Sequence, residues 1–384
     1  MNKPIKILSF GFLLIFLGFN GVQSYVTAYF SDANMAEVGF RSLILIYLFF
    51  ILFNPVSAIF VSRYGAKKCM MAASIFYSFF ILSLLSGSVI LIYIFSALLG
   101  MAAAFLWTGQ GSYLIRASDE KSYGANAGFF NSQQSLGSAA GVLFFGFLVS
   151  VLFFKSSFLL FSILPIVGFL LLSRLENIKS REENLDRFKL ARKSLSSKTA
   201  LRLSGLYFSF MFVFGLVIGI LPIEIKNIIG APYIGILSSL FYVMPIVFSF
   251  IFGKLSDIKG RKFMIILGYL LCAAGLALLY LSNGAILLIS AILLLSVNYS
   301  IIRPVTMALI GDVSTKSNLE FLTALFWMAS NIAVVSALII SSIFLTKTIY
   351  LISLLLIGIS FTALLPLLRL KTEKLKELIT KEAS

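Results

Sequence analysis

Long apolar stretches recur along the whole chain and are separated by short polar segments. Each stretch is long enough to cross the roughly 30 Å of bilayer hydrocarbon at a helical rise of about 1.5 Å per residue. Because backbone N–H groups must be paired inside lipid, spans of this length are expected to be helices. The pattern predicts an all-α membrane protein with twelve transmembrane helices, near 7–30, 39–61, 69–87, 89–115, 126–152, 156–173, 202–224, 232–253, 263–282, 285–311, 319–345 and 348–369.

The basic residues are unevenly distributed between alternate loops. With the N-terminus placed inside, 27 of the 31 Lys and Arg residues fall on the inner side, and Arg41, Lys155, Lys226 and Lys347 fall outside. Short loops rich in Lys and Arg stay cytoplasmic, so both termini are predicted to be cytoplasmic. We therefore interpret the net charge of +16 as a topology signal and an attraction to anionic inner-leaflet lipid. The expected location is the cell membrane, in contact with the lipid bilayer and without a nucleic-acid partner.

Composition narrows the possible chemistry. The chain is 60% hydrophobic and 12% charged, and its mean hydropathy is +1.02. It contains no histidine, which excludes imidazole metal sites and histidine acid–base catalysis. Cys69 and Cys272 lie in separate apolar segments and are interpreted as buried thiols. With no phosphate-binding loop, metal cluster or nucleophile–base pair in the sequence, we predict a protein that is not an enzyme and uses no cofactor or metal.

The longest polar stretch, Glu176–Lys198, divides the predicted spans into six and six. Its mixed charge is typical of a linker that lies on the membrane surface, and a regulatory docking site is the alternative. The predicted organisation is an N-terminal six-helix bundle (1–174), a cytoplasmic linker (175–201), a C-terminal six-helix bundle (202–370) and a cytoplasmic tail (371–384). We expect a monomer.

An internal repeat relates the two halves at an offset of about 195 residues. The sequence SRYGAKK (62–68) follows the second span and DIKGRKF (257–263) follows the eighth, and the two align on Gly65 and Gly260. In the same way, LSGSVILI (85–92) aligns with LSNGAILL (281–288). Two six-span halves related by a parallel repeat are typical of one transporter architecture.

The loop after the eighth span, GKLSDIKGRK (253–262), resembles the signature G-x-L-x-D-x-x-G-R-K of the major facilitator superfamily. In the first copy of the loop, Ser62 stands where the signature has an acid, which predicts a looser contact there. The resemblance implies that Asp257 accepts hydrogen bonds from a helix N-terminus in the other half and so latches an inner gate. The predicted cytoplasmic gate comprises Arg63, Gly65, Lys67, Gly253, Asp257, Gly260, Arg261 and Lys262.

A finer resemblance covers about residues 10–150. GFNGVQSYVTAYF (18–30) and LLGMAAAFLWTGQGSYLIRASDEKSYGANAGFF (98–130) look like the Unc-ninety-three-like branch of that superfamily. The C-terminal half shows no comparable branch motif. The branch includes transporters as well as trafficking partners of channels and receptors, so the resemblance implies the fold more strongly than the function.

Polar residues inside the spans give the candidate site. Such groups are costly at bilayer depth and usually face a cavity or another helix. Nearly all the amides fall on spans that line or flank the central cavity of this superfamily, and several are paired three residues apart on one helical face. Ordinary interhelical hydrogen bonding is the alternative for each single residue. The predicted substrate cavity comprises Asn20, Gln23, Asn54, Trp107, Gln110, Asn131, Gln134, Asn298, Tyr299, Arg303, Trp327 and Asn331.

These features favour a secondary transporter of a small organic solute, working by alternating access between two bundles. No carboxylate is clearly near a span centre, which disfavours direct proton coupling. Arg303 is either an anion-attracting group or a residue that reaches the inner surface or pairs with Asp312. Two alternatives stay open. One is a non-transporting regulator or trafficking partner, and the other is an efflux-type antiporter, indicated by Gly128, Gly137 and Gly141.

Overall fold

In the computed structural model, residues 2–26, 29–30, 36–178, 192–194, 196–230, 233–343 and 347–383 are described. Most of the predicted linker, 179–191 and 195, therefore lies outside the described residues. The described chain is helical, as the apolar spans predict. Its helices are α1 (Lys3–Gln23), α2 (Ala36–Tyr64), α3 (Ala66–Ser83), α4 (Val89–Arg116), α5 (Tyr123–Leu172), α6 (Lys198–Gly219), α7 (Leu221–Ile228), α8 (Ile234–Lys259), α9 (Arg261–Leu281), α10 (Ala285–Val313), α11 (Leu319–Ile343), α12 (Thr348–Leu368) and α13 (Thr372–Ala383).

Eleven segments of the described chain are long and apolar enough to cross a membrane. One of them, Glu120–Leu172, has 53 residues, or about 80 Å of helix, which is more than twice the hydrocarbon thickness. Within it, Phe153 has φ 60 and ψ 171, so its backbone is not helical. The predicted fifth and sixth spans both lie in this interrupted segment.

The chain packs as two compact units. The first is drawn from Met1–Ser118 and Gln133–Phe188, and the second from Asp119–Ser132 and Lys189–Ser384. The first turns of α5 thus belong by their contacts to the second unit, and the rest of α5 to the first. The domain boundaries predicted at residues 174 and 202 stay predictions.

In the first unit, α4 packs against both α2 and α3, and α1 packs closely against α5. Glycines permit the close approach of α1 and α5, since a Cβ at Gly137 would lie 2.3 Å from the Leu13 carbonyl oxygen. An aromatic cluster fills the core between α1, α3 and α4. Its rings belong to Phe12, Phe16, Phe19, Tyr77, Phe80 and Trp107.

The second unit repeats this order of packing. Here α10 packs against both α8 and α9, and α6 packs against α11. Tyr207 of α6 stacks on Phe326 of α11 with ring centroids 4.3 Å apart. The last helix, α13, is amphipathic and buries Leu375 and Ile379, one turn apart, while contacting α6 and α10. The matching pairs of helices are what an internal repeat of six spans requires.

Candidate functional site

Asp257 lies at the centre of a polar cluster in the second unit. It is on the last turn of α8, and its carboxylate accepts hydrogen bonds from the backbone N–H groups of Gly124 (2.8 Å) and Ala125 (2.7 Å). These N–H groups are in the first turn of α5, where they have no partner inside the helix. A carboxylate there satisfies both donors and lies at the positive end of the helix dipole. The contact has the geometry that the signature loop implies for Asp257.

Arg261 links this carboxylate to a second one. Its guanidinium donates to Asp257 at 2.7 Å, to Asp312 at 2.8 Å and to the Ser256 hydroxyl at 2.6 Å. The side chains of Arg261 and Asp257 are only 10% and 6% exposed. A charge-assisted network of this kind, screened from water, holds the ends of α8, α9 and α10 together.

Glycines bring the helix ends close enough for this network. A Cβ at Gly253 would lie 2.1 Å from the carbonyl oxygen of Gly124, and one at Gly128 would lie 2.3 Å from that of Ser249. Backbone atoms are the obstacle in both cases, so no side-chain movement relieves the contact. Helices α5 and α8 therefore touch backbone to backbone here.

The two copies of the signature loop share one turn. Gly65 has φ 89 and ψ 147, and Gly260 has φ 89 and ψ 152. This conformation is essentially reserved for glycine. The copies differ in their chemistry, because the Ser62 hydroxyl donates to the Ile59 carbonyl of its own helix (2.9 Å) and Arg63 lies over the Tyr64 ring. Lys67 is half-buried and Lys262 is exposed.

The amides of the first unit fall into two groups. Asn20 donates to the Ser138 hydroxyl at 2.7 Å and so joins α1 to α5. Ser138 in turn donates to the carbonyl of Gln134. Gln23 and Gln134 are half-buried. Asn20, Gln23 and Gln134 thus lie on neighbouring turns of the same helix pair.

Asn54 and Gln110 form the second group. Both are fully buried, and no amide atom of either has a hydrogen-bond partner among the described residues. They lie on α2 and α4, close along the chain to Ser57 and Thr108, whose hydroxyls are 2.7 Å apart. Buried polar groups without partners are rare, so they need a role or a bound water. Trp107, by contrast, packs within the aromatic core of the unit, 5.1 Å from the Phe16 ring.

In the second unit, four predicted site residues come together on α10 and α11. The Arg303 guanidinium lies 4.9 Å from the Trp327 ring and 5.8 Å from the Tyr299 ring. Asn298, Tyr299 and Arg303 line a cavity of about 30 Å³, which is room for a water molecule. Asn298 Oδ1 has no hydrogen-bond partner among the described residues. Arg303 is only 9% exposed, and Asp312 accepts a hydrogen bond from Arg261 at 2.8 Å.

Asn131 and Asn331 make different contacts. Asn131 donates to the Ser249 hydroxyl at 2.8 Å and joins α5 to α8, while Asn331 donates to the Trp327 carbonyl of its own helix. Sequence reasoning missed the partners of these amides. Two of these partners are serines: Ser138 accepts from Asn20, and Ser249 accepts from Asn131. The small cavity is also lined by Tyr207 and Ser330. Hydroxyl groups are too common in apolar spans to be singled out by sequence.

A carboxyl beyond the end of the apolar segment Lys198–Gly219 is perturbed. Burial raises the pKa of Glu224, and the charge of Lys347 acts in the opposite direction. Glu224 lies on the short helix α7.

A family model described as Major Facilitator Superfamily matches residues 8–205 and 203–384. Over 129 residues, the chain is 32% identical to UNC93-like protein MFSD11 of Xenopus tropicalis and 30% identical to UNC93-like protein 3 of Arabidopsis thaliana. These matches cover 33% of this chain and 29% and 27% of the two relatives, so the chain matches less than a third of their length.

Solved structures match along the whole chain. The proton:xylose symporter XylE, bound to 6-bromo-6-deoxy-D-glucose, has a TM-score of 0.77 at 13% identity and covers 98% of both chains. The human organic anion transporter MFSD10 has a TM-score of 0.73 at 11% identity, covering 99% of this chain and 98% of its own. At these identities, the similarity shows the fold.

Proposed function

The chain belongs to the major facilitator superfamily, and we propose that it is a secondary transporter that moves a small organic solute by alternating access. The observation that carries the proposal is the cluster of Asn298, Tyr299, Arg303 and Trp327 in the second unit. A buried guanidinium is costly at bilayer depth, and so is the Asn298 amide oxygen, which has no hydrogen-bond partner among the described residues, so both are expected to serve a function.

The proposed topology has twelve spans. The break at Phe153 supports counting the 53-residue segment as two spans, which raises the eleven segments to twelve. An even number of spans puts both termini on one side, and the Lys and Arg distribution makes that side the cytoplasm. The proposed domains are the bundles 1–174 and 202–370, and the proposed location is the cell membrane.

The proposed substrate contacts are polar side chains, considered unit by unit. Asn20, Gln23 and Gln134 supply amides from α1 and α5, and Asn298 and Arg303 supply an amide and a cation from α10. Arg303 favours a solute that carries an anionic group, because a guanidinium binds a carboxylate or phosphate through two parallel hydrogen bonds. The remaining proposed contacts are Asn54, Trp107, Gln110, Asn131, Tyr299, Trp327 and Asn331.

We propose that the Asp257 cluster is the cytoplasmic gate. Its hydrogen bonds to Gly124 and Ala125 must break for the first turn of α5 to move away from α8. In the first copy of the loop, the Ser62 hydroxyl donates a hydrogen bond to its own helix. The contact that closes the proposed gate is therefore made by the second copy. In the proposed gate, the second copy of the loop supplies a charged contact through Asp257 and Arg261. The first copy supplies only the turn at Gly65, because it has no acid at position 62.

A solute screen tests the proposal. Liposomes that contain the purified full-length protein are exposed to labelled solutes in two sets, organic anions and neutral compounds. We expect uptake of at least one organic anion, and reduced uptake in Gln23→Ala and Asn331→Ala. If no solute moves, or if both variants match the wild type, the transporter proposal fails. The direction of the flux and its dependence on a counter-ion separate efflux-type antiport from the other modes.

A second candidate function is a membrane regulator with the same fold and no flux. It is favoured by the amides that bond to protein groups, since Asn20, Asn131 and Asn331 each donate to a hydroxyl or a carbonyl of the chain. It would be supported by a complete absence of flux from a protein that is folded and stable in the same liposomes.

A further inference from the structure

A second cavity lies in the second unit and shares no lining residue with the Arg303 cluster. Its volume is about 480 Å³, which is within the range of ligand pockets in proteins. It is bounded by the N-terminal halves of α6 and α9, the C-terminal ends of α8, α10 and α12, and the start of α13. All these helix ends are at the side of the unit that holds the Asp257 cluster.

The inner wall of this cavity is apolar. It is formed by leucine and isoleucine side chains from five helices, and these side chains are almost completely shielded from solvent. A large cavity with such a wall has few partners for water and suits a hydrocarbon chain. The buried apolar residues are Leu203, Leu206, Ile265, Leu309, Leu364, Leu367 and Leu375.

The rim of the cavity is basic. Lys259, Lys262 and Lys371 are exposed there, and no described residue forms an ion pair with any of the three. Arg261 also lines the cavity but is engaged by Asp257 and Asp312. Glu373 is the one acid among the lining residues. Three exposed ammonium groups above an apolar wall are complementary to an anionic headgroup above an acyl chain.

We propose that this cavity binds an anionic phospholipid, with the phosphate held by Lys259, Lys262 and Lys371 and an acyl chain against the leucine wall. A soluble phosphate would leave the apolar wall empty, whereas a lipid uses both surfaces. The helix ends that form the cavity emerge on the side rich in Lys and Arg, where anionic headgroups are attracted. Lipid binding goes beyond solute transport, and it is measured without any flux.

The lipid would join the C-terminal helix to the bundle. Leu375 of α13 contributes to the apolar wall, and Lys371 precedes the helix directly. At the far end of α13, the Glu382 carboxylate accepts hydrogen bonds from the Ser197 hydroxyl and the Thr199 backbone N–H at the start of α6. The helix is thus fixed at one end by protein and, in this proposal, at the other by lipid.

Photo-crosslinking tests the site. Full-length protein is placed in phosphatidylcholine nanodiscs that contain a minor fraction of phosphatidylglycerol with a diazirine in its acyl chain, and the crosslinked peptides are mapped by mass spectrometry. We expect crosslinks at Ile265, Leu309 and Leu364. Lys259→Gln/Lys371→Gln should lower the yield at these residues about tenfold, because each lysine adds to the attraction for an anionic headgroup.

The controls identify the occupant. Lys68→Gln/Lys254→Gln removes two exposed lysines outside the cavity and should crosslink like the wild type. A diazirine phosphatidylcholine should label the wall weakly, and soluble glycerol phosphate should not compete. The proposal is overturned if the two double variants lose labelling equally, if phosphatidylcholine labels the wall as strongly, or if the soluble headgroup displaces the lipid.

Discussion

The carboxylate of Asp257 and the backbone N–H of Gly124 are joined by a hydrogen bond of 2.8 Å that ties the end of α8 to the start of α5. The second oxygen of Asp257 accepts from Ala125 in the same turn. Both donors are N–H groups of a helix N-terminus, which have no partner inside the helix, and Asp257 accepts from both. The stability of this contact therefore depends on one acid.

Asp257→Asn is expected to destabilise the protein. The amide accepts from only one of the two N–H groups and leaves Arg261 with a single carboxylate partner, Asp312. Loss of one member of a buried charged network costs about 3 kcal/mol. The free energy of unfolding should fall by about that amount in chemical denaturation in mild detergent. Asp119→Asn, on an exposed residue, is the control and should stay within about 0.5 kcal/mol of the wild type.

Gly253→Ala is expected to separate α5 from α8. The added Cβ would lie 2.1 Å from the carbonyl oxygen of Gly124, and the backbone must shift to admit it. Overpacking of this kind costs about 1–3 kcal/mol. Gly205→Ala is the matched control, since its Cβ meets no atom within 4 Å and alanine favours a helix. If both variants unfold at the same denaturant concentration, the close helix contact is contradicted.

Gly65→Ala and Gly260→Ala are expected to be equally unfavourable. Neither Cβ would meet an atom within 4 Å, so the cost comes from the backbone conformation that the two turns share. That cost is about 1–3 kcal/mol per residue. Gly358→Ala, at an open helical position, should leave the free energy of unfolding unchanged or slightly higher. A neutral Gly260→Ala would show that the loop adopts a different turn.

The docking of α13 is expected to depend on pH. Slight burial of the Glu382 carboxyl raises its pKa. The hydrogen bonds that it accepts from Ser197 and Thr199 outweigh this effect and lower the pKa below its ordinary value of 4.5. A lowered pKa means that the contact stabilises the protein above pH 4.5 and is lost as pH falls through the lowered value. The protection of residues 197–200 against hydrogen exchange, relative to the intrinsic rate at each pH, should fall below that pH.

The variant Glu382→Gln should lose the protection of residues 197–200 against hydrogen exchange already at neutral pH. Glu377→Gln is the control, because Glu377 is exposed and pairs with Lys374 of its own helix. Equal protection of residues 197–200 in both variants at all pH values would contradict the docking contact.

Much of the fold could be predicted from the sequence. Apolar runs of about 20 residues have only one stable structure in lipid, so the helices follow from hydropathy alone. The equivalence of Gly65 and Gly260 also followed from the aligned loops, and both adopt the same turn. The signature loop predicted that Asp257 binds a helix N-terminus, and the first turn of α5 provides it.

The candidate site was less predictable. Sequence places an amide on a helix but does not show what lies across from it, so Asn20 and Asn131 could not be separated from Asn298 beforehand. The partners of the first two are serines, which are frequent in every span. The contacts of the Trp107 ring with Phe12 and Phe16 were not predictable either, because they depend on the tertiary packing of α1 against α4.

Solute flux through proteoliposomes, compared between Asn298→Ala and Asn227→Ala, tests the transporter account most directly. Asn298 is buried beside Arg303 in the small cavity, whereas Asn227 is an exposed residue of α7. Loss of a hydrogen bond to bound solute should reduce uptake by Asn298→Ala about tenfold, and Asn227→Ala should match the wild type. Uptake that is unchanged in Asn298→Ala, or absent from the folded wild-type protein for every solute, would contradict the account.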